Sequence, residues 1–396
     1  MTSFPTYVPA FSTRENEIRA YVHADPTVKN NMLPLVTLTG DPGGEGFDGN
    51  LATLLGAADG RPLLLDFDPN HKAPPNEKAK ERAKQKRNEE RLKKGKKPYV
   101  PTDAQLAFAK KMKDDADNAR EAYNNFIDRL LLPADGYAEW RKFSLAIPNA
   151  IPVVQLSDQT EARKHVSAIA GAKRPVAFRV DVNNSRALEN MAFAVGGMGE
   201  GVRIVVVLDA KYIRRDPPSA IISISAALND ISKKISRQNV ALTLVCLGGS
   251  FPPSLEDMPN PLTILEIDVF NRIKSQGWNL VYGDYSSVSH REPSPFNGTW
   301  RPHVEVCHHD RWHYSRAERN SKGAEVVNLA RALVDNPEIW SGRAACWGTD
   351  MIKWVADGNL KDTDGKSLTI PGPWISIRVN QHLTQQALTR APGKSD

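Results

Sequence analysis

Short runs of apolar, mostly β-branched residues recur along this chain and alternate with stretches of helical periodicity. The run Val202–Asp209 is apolar at almost every position, which is typical of a strand buried on both faces of a parallel sheet. The intervals Asp158–Gly171, Ser185–Val195 and Ser219–Ser236 instead repeat apolar residues with helical spacing. Alternating strands and helices indicate βα units.

Counting these runs points to a particular α/β architecture. The predicted strands are Leu33–Leu38, Pro62–Phe67, Ile151–Leu156, Pro175–Asp181, Val202–Asp209, Val240–Leu247, Leu262–Asp268 and Asn279–Asp284. A set of eight favours a closed (β/α)8, TIM-barrel-like fold over an open doubly wound sheet. The interval Gly248–Pro261 is proline-rich and lacks a helical period, so we expect the barrel to be irregular there.

A charged insertion separates the second and third predicted strands. Its first part, Asn76–Lys94, is rich in Glu, Lys and Arg, so a helix there would have almost no face to bury. Its second part, Thr102–Leu132, carries an apolar stripe that includes Tyr123, Phe126 and Leu130. We predict a helical hairpin whose second arm docks on the barrel and whose first arm projects.

These patterns divide the chain into three predicted regions. Residues 1–69 and 136–288 form the barrel, residues 70–135 the basic helical hairpin, and residues 289–396 a C-terminal α/β region. Within the last region we expect a β-hairpin formed by His303–His309 and Trp312–Arg316, followed by helices and a strand at Trp374–Val379.

The positive charge of the protein is concentrated in the insertion. The formal net charge is +6, but residues 71–100 hold 12 Lys and Arg against 4 Glu, a net of +8, so the rest carries −2. Such a segment could neutralise several phosphates and bind nucleic acid in a salt-dependent, sequence-independent way. The candidate residues are Lys80, Arg82, Lys84, Lys86, Arg87, Arg91, Lys93 and Lys94. The alternatives are a solvated helix stabilised by Glu–Lys pairs and a docking arm for an acidic protein.

Carboxylates follow the predicted strands, at the barrel end where active sites form. In a strand, residues i and i+2 face the same way, so Asp66 with Asp68 and Glu266 with Asp268 could each aim two carboxylates at one point. These four are candidate ligands for Mg²⁺ or Mn²⁺. Alternatively, the acidic residues cap helices or pair with arginines such as Arg179.

Two other groups of residues suggest binding chemistry. Gly249 and Ser250, with Arg179, could bind an anion through backbone N–H groups, a hydroxyl and a guanidinium; an ordinary glycine turn is the alternative. The histidine-rich stretch His303–His313 beside Cys307 suggests zinc, but no standard ligand spacing is present. Walker, GxGxxG and nucleophile-elbow motifs are missing, so common nucleotide-binding and serine-hydrolase classes lack support.

Several short motifs resemble a known family. They are Tyr7-Val-Pro9, Gly249-Ser250-Phe251-Pro252, Gly283-Asp284-Tyr285, Trp312, Trp347-Gly348-Thr349-Asp350 and Asn380-Gln381-His382. In this order they resemble the beta protein family of phages, prophages and bacterial loci. The resemblance covers nearly the whole chain except the charged hairpin and implies a barrel-like fold. Gln381 stands where the family favours a histidine.

Composition and resemblance together define the function that we predict. No apolar run is long enough to cross a membrane, residues 1–10 do not look like a secretory signal, and the three cysteines suit a reducing cytoplasm. The leading prediction is a cytoplasmic phage- or defence-associated protein that binds nucleic acid or a protein partner. The first alternative is a metal-dependent phosphodiesterase or nuclease with Glu266, Asp284 and His382 as catalytic residues. The second is a structural phage component.

Overall fold

The computed structural model describes residues 5–40, 46–67, 88–89, 91–92, 95, 97, 102–196, 198, 201–235, 240–288, 300–318, 321 and 323–391. Its strands in chain order are β1 (Tyr7–Ser12), β2 (Leu35–Leu38), β3 (Leu63–Phe67), β4 (Ala150–Val154), β5 (Val176–Asp181), β6 (Arg203–Tyr212), β7 (Ala241–Gly249), β8 (Leu262–Thr263), β9 (Val281–Asp284), β10 (His303–Cys307) and β11 (Arg311–Arg316). Strands β1 to β7 and β9 form a closed parallel barrel, in which β9 pairs with β1. The (β/α)8-like fold is therefore confirmed.

Helices surround the barrel and build most of the C-terminal region. In chain order they are α1 (Glu15–Val22), α2 (Pro26–Asn30), α3 (Gly46–Ala58), α4 (Asp103–Leu130), α5 (Ala134–Ala146), α6 (Gln159–Gly171), α7 (Ser185–Val195), α8 (Pro217–Ile235), α9 (Leu265–Lys274), α10 (Val326–Val334), α11 (Pro337–Ser341), α12 (Trp347–Ala356) and α13 (Pro371–Thr389). In the part of the chain that the structure describes, none of them is long and apolar enough to cross a membrane.

Local sequence explains where several barrel helices begin. The Asp158 carboxylate accepts the backbone N–H groups of Thr160 and Glu161, both at 2.9 Å, and so caps α6. The Asn184 side chain accepts the N–H of Ala187 at 3.2 Å and caps α7. Asp and Asn are favoured here because their oxygens satisfy N–H groups that have no partner within the helix.

One predicted barrel strand was wrong and one strand was missed. Only Leu262–Thr263 of the predicted strand 262–268 is extended, and it lies outside the barrel. The rest begins α9, whose first-turn acids and last-turn bases suit a helix dipole. The missing barrel strand is β1, which is buried throughout. Its Pro9 cannot donate to a strand ladder, and Val8 is its one β-branched residue, so its sequence gives a weak strand signal.

The C-terminal region packs against one side of the barrel. Strands β8, β11 and β10 form a small antiparallel sheet, and β10 with β11 confirms the predicted β-hairpin. The predicted strand at Trp374–Val379 was wrong, because these residues lie inside α13. Most of α13 is buried, between α1, α12 and β10, so its sequence lacks the one-sided apolar period of a surface helix.

The insertion returns to the barrel through α4, which matches the predicted second arm of the hairpin. Near its C-terminal end, Ile127 and Leu130 are buried in the main core, and the Tyr123 hydroxyl donates to the Leu38 carbonyl at 2.9 Å. Most of the predicted first arm lies outside the described residues. The division into three regions stays a prediction.

Candidate functional site

A layer of polar side chains closes the barrel interior at the carboxyl ends of the strands. We call Thr37, Asp66, Arg179, Asp209 and Tyr285 the mouth layer. A cluster of apolar side chains fills the inside of the barrel, and Tyr285 belongs to it. The other four residues each lie two positions after a member of that cluster on the same strand, so their side chains also point inward.

Arg179 holds the mouth layer together. Its Nε donates to Asp209 Oδ2 at 2.9 Å, and its Nη1 donates to Asp66 Oδ2 at 3.1 Å and to Thr37 Oγ1 at 3.3 Å. Its Nη2 donates to the Tyr285 hydroxyl at 2.9 Å, and that hydroxyl donates to Asp209 at 2.7 Å. One guanidinium therefore joins residues from five strands or strand ends.

The mouth layer is largely shielded from solvent. The side chain of Arg179 is 19% exposed, against 8% for Asp66 and 4% for Asp209. Burial raises the pKa of Asp66, although the charge of Arg179 acts in the opposite direction. Because two carboxylates already contact Arg179, an anion at this guanidinium would have to compete with both of them.

A second polar cluster lies on the outer face of the barrel wall, beneath α13. Asp284 Oδ1 accepts the Tyr7 hydroxyl and the Ser286 N–H, each at 2.8 Å, and Asp284 Oδ2 lies 2.8 Å from His382 Nε2. The Asp284 and His382 side chains are fully buried. Burial would raise the pKa of Asp284, but the charge of His382 and these hydrogen bonds outweigh it and lower that pKa.

Glu266 and Ser250 complete this outer cluster. The Ser250 hydroxyl contacts Glu266 Oε2 and accepts the Leu265 N–H at 3.0 Å. Burial, and then the negative charge of Asp284, raise the pKa of Glu266. We call Tyr7, Ser250, Glu266, Asp284 and His382 the seam cluster, because it joins the barrel to the C-terminal region.

His382 also faces the small sheet. Its Nδ1 lies 3.8 Å from Cys307 Sγ, and its ring stacks on Trp312 with centroids 5.6 Å apart. Asp284, His382 and Cys307 thus follow the order of acid, base and thiol found in nucleophilic catalysis. Cys307 is nevertheless only 1% exposed, and burial raises the pKa of its thiol well above the ordinary value. The thiol is therefore held protonated and away from solvent.

The structure brings the three predicted catalytic residues together and separates the predicted metal ligands. Glu266, Asp284 and His382 meet in the seam cluster, where their catalytic role stays a prediction. Asp66 lies inside the barrel, and Asp68 falls outside the described residues. Asp268 is 51% exposed and pairs with Arg272 on α9.

The expected pairing of Glu266 with Asp268 was based on a strand and fails on a helix. Two positions along a helix turn side chains by about 200°, so one carboxylate is buried and the other faces solvent. Across the described ranges, no group of three His, Cys, Asp or Glu side chains is arranged to hold a metal ion.

The remaining predicted site residues have other contacts. A Cβ at Gly249 would lie 3.0 Å from the Tyr285 ring, so glycine lets that ring pack against the strand. Ser250 contacts Glu266 in the seam cluster. Of the predicted nucleic-acid-binding residues, Arg91 is described, and its Nε donates to the Lys97 carbonyl at 3.1 Å; the others, Lys80, Arg82, Lys84, Lys86, Arg87, Lys93 and Lys94, fall outside the described residues.

Comparison with known proteins agrees with the predicted resemblance. Residues 7–388 match the family model described as Beta protein. The chain belongs to the beta protein family. It is also similar to Protein beta of Enterobacteria phage P4, with 24% identity over 279 residues, which cover 68% of this chain and 74% of the phage protein. No solved structure matches the chain.

The motifs that carry the beta-family resemblance meet around the seam cluster. Tyr7 contacts Asp284, which contacts His382, and Trp312 stacks on the His382 ring. The neighbouring Phe251 packs edge-on against Trp312 with centroids 5.5 Å apart. Motifs that are short and far apart in sequence therefore form one continuous contact between barrel and C-terminal region.

The same contact extends along α13 of this beta-family chain. Asn380 Oδ1 accepts the Gly348 N–H at 2.9 Å, and its amide donates to the Ala20 carbonyl at 2.9 Å. Gln381 accepts the Cys307 N–H at 3.2 Å. The motifs Trp347–Asp350 and Asn380–His382 thus fix α13 between α1, α12 and β10.

Our sequence reasoning did not select several members of these clusters. Thr37 was missed in the mouth layer. Asp209 was recognised only as the acidic end of a predicted strand, and Tyr7 and Tyr285 only as members of family motifs, so these three were not selected as site residues. The available signal was strand alternation. Every member of the mouth layer except Tyr285 lies two positions after an apolar residue of the barrel interior, so it faces the same side of its strand. Strand alternation gave no signal for Tyr7, because β1 was not predicted; the family motif Tyr7-Val-Pro9 was the signal that pointed to it.

Proposed function

We propose that this beta-family chain is a cytoplasmic protein that binds nucleic acid through its basic segment, residues 71–100. The observation that supports this most directly is the separation of charge, +8 in that segment and −2 in the rest of the chain. Uniformly spread charge would favour solubility alone, whereas a concentrated basic segment provides an electrostatic contact for the phosphate backbone.

The shape of α4 supports the same proposal. Every described side chain from position 102 to 119 is exposed, whereas the end of the helix packs on the barrel. About 25 Å of helix therefore extends without a packing partner among the described residues. The basic segment directly precedes this exposed half of α4 in the sequence, so the charged residues adjoin a part of the helix that is open to a partner.

The contacts of the carboxylates make this proposal preferable to the metal-dependent phosphodiesterase. Asp66 and Asp209 contact Arg179, so a metal ion at the mouth would have to displace a guanidinium. Glu266 and Asp284 are buried in the seam cluster. Phosphate binding by the basic segment requires neither displacement of Arg179 nor exposure of Glu266 and Asp284.

Fluorescence anisotropy of a labelled DNA duplex and of a single-stranded RNA, each titrated with the full chain, tests the proposal. We expect affinity to fall steeply between about 50 and 200 mM salt. Replacing four basic side chains of the segment by Gln should reduce the salt slope on the duplex by about 0.9 for each phosphate that the variant no longer neutralises. These side chains are Lys84, Arg87, Arg91 and Lys94.

A control variant carries the same change of charge elsewhere. It replaces four exposed lysines by Gln, namely Lys142, Lys233, Lys353 and Lys361. An equal decrease of affinity in both variants would contradict a specific role of the segment. Absence of binding to either nucleic acid at about 50 mM salt would refute the proposal and direct the search to an acidic protein partner.

A further inference from the structure

A cavity of about 310 Å³ opens beside the seam cluster, between the loop after β7, the β10–β11 hairpin and α13. Its lining includes two aromatic residues and four basic ones, Phe251, Trp300, Arg301, His303, Arg316 and Arg378. The loop residue Phe251 follows Ser250, and Arg378 lies one helical turn before His382. The volume is at the lower end of the range of small-molecule sites, about 300–1,000 Å³.

The cavity has an excess of positive charge. Arg301 donates to the Ala317 carbonyl, and Arg316 donates to the Leu255 carbonyl at 2.6 Å. Backbone carbonyls orient these guanidinium groups without cancelling their charge. Neither arginine forms an ion pair with any residue in the described ranges. Glu256 is the acidic residue of the lining.

Arg378 is the most constrained of the three arginines. Its Nη1 lies 3.2 Å from Glu305 Oε1, and its guanidinium carbon lies 4.3 Å from the centre of the Phe251 ring. Its Nε is buried and has no hydrogen-bond acceptor among the residues that the structure describes. A buried N–H without an acceptor is destabilising, so this guanidinium keeps unused hydrogen-bonding capacity beside the cavity.

The cavity also has an apolar wall. Phe251, Pro252 and Trp300 contribute to its lining, and the Trp300 ring packs edge-on against His303 with centroids 6.3 Å apart. An aromatic wall beside a cationic one suits a ligand with a flat ring and a phosphate group, because rings stack on tryptophan while guanidinium groups bind phosphate oxygens.

We propose that this cavity, the arginine pocket, binds a mononucleotide. The phosphate contacts Arg301, Arg316 and Arg378, and the base packs against Trp300. The site is separate from the basic segment, so this inference stands or falls independently of nucleic-acid binding by residues 71–100.

Calorimetric titration of the full chain with AMP, GMP, adenosine and inorganic phosphate tests the arginine pocket. We expect AMP or GMP to bind at least about tenfold more tightly than adenosine or phosphate, since each of the latter makes only part of the contacts. The double substitution Arg301→Gln, Arg316→Gln should weaken nucleotide binding at least about tenfold. The variant with the neutralised basic segment should bind nucleotide as the wild type does.

Arg331→Gln is the matched control. Arg331 lies in the same C-terminal region and also donates to a backbone carbonyl, that of Ala356 at 2.7 Å, but it does not line the cavity. This variant should bind nucleotide as the wild type does. Trp300→Leu provides a second test, because Trp300 forms no hydrogen bond to the backbone of the described residues. This substitution should abolish the preference for nucleotide over phosphate.

Three results would overturn the inference. One is the absence of heat with either nucleotide at millimolar concentration. Another is phosphate binding as tight as nucleotide binding, which would indicate an adventitious anion only. The third is unchanged nucleotide affinity in both the double arginine variant and Trp300→Leu.

Discussion

The mouth layer and the seam cluster lie on opposite faces of the same barrel wall. They differ in the groups that neutralise their buried charges. In the mouth layer, Arg179 is balanced by Asp66 and Asp209, so a permanent cation faces two anions. In the seam cluster, Asp284 contacts His382, and Glu266 lies close enough to feel the charge of Asp284. Burial and the negative charge of Asp284 raise the pKa of Glu266, so this carboxyl group takes up a proton more readily than an ordinary one.

This difference separates two roles. The mouth layer links strands β2, β3, β5 and β6 to the end of β9 and therefore stabilises the barrel itself. The seam cluster links the barrel to α13 and α9, so it controls how the C-terminal region is held. We expect a mutation of Arg179 to act at any pH near neutrality and a mutation of Glu266 to depend on pH.

Arg179→Met should have the largest effect on stability. It removes the cation and leaves two carboxylates buried without their partner, and breaking one buried ion pair typically costs about 3–5 kcal/mol. We expect the free energy of unfolding in urea to fall by about 5 kcal/mol. The control Arg272→Met removes an exposed ion pair on α9 and should cost less than about 1 kcal/mol. Similar small losses in both variants would show that the mouth layer does not stabilise the barrel.

Asp284→Ala should have the next largest effect. It removes the acceptor of the Tyr7 hydroxyl and of the Ser286 N–H and the partner of His382. We expect the free energy of unfolding to fall by about 3 kcal/mol. Amide hydrogen exchange should become faster than in the wild type along α13 and change less along α6. The exposed Asp268→Ala is the control and should change neither quantity measurably. Uniformly faster exchange in both helices would contradict a local role in holding the C-terminal region.

The barrel could be predicted from the sequence because buried parallel strands such as β6 are apolar along their whole length. The two errors in the assignment of barrel strands have physical causes. β1 was missed because it combines a proline with a single β-branched residue, Val8, whereas the proline of β4 is accompanied by three. The segment that begins α9 has β-branched residues before its helical period becomes visible, so its first turn resembles a strand.

The candidate site was predictable in its residues but not in its arrangement. Family resemblance pointed to Asp284 and His382, yet these lie 98 positions apart and meet only because α13 packs over the outer face of the barrel. Because α13 is buried on nearly all sides, its sequence lacks an amphipathic helical period, and Trp374–Val379 was therefore predicted as a strand. The arginine pocket could not be predicted for the same reason, since Arg378 belongs to α13.

Glu266→Gln should have the smallest effect, and its sign should depend on pH. Because the pKa of Glu266 is raised above its ordinary value of 4.5, the folded state binds more protons than the unfolded state above that pH. Stability of the wild type therefore falls as pH rises, until pH reaches the raised pKa. Glutamine resembles the protonated carboxyl group, so the variant escapes this loss.

The expected result is near-equal stability of wild type and Glu266→Gln at about pH 4, followed by a growing advantage of the variant. The difference in free energy of unfolding between the variant and the wild type should grow by about 1.4 kcal/mol for each pH unit above 4.5, until the pH passes the raised pKa of Glu266. Exposed Glu139→Gln on α5 should show no such trend. The opposite trend would mean that the folded protein stabilises an ionised Glu266. The seam cluster would then stabilise ionised side chains, as the mouth layer does, and the contrast between the two clusters would disappear.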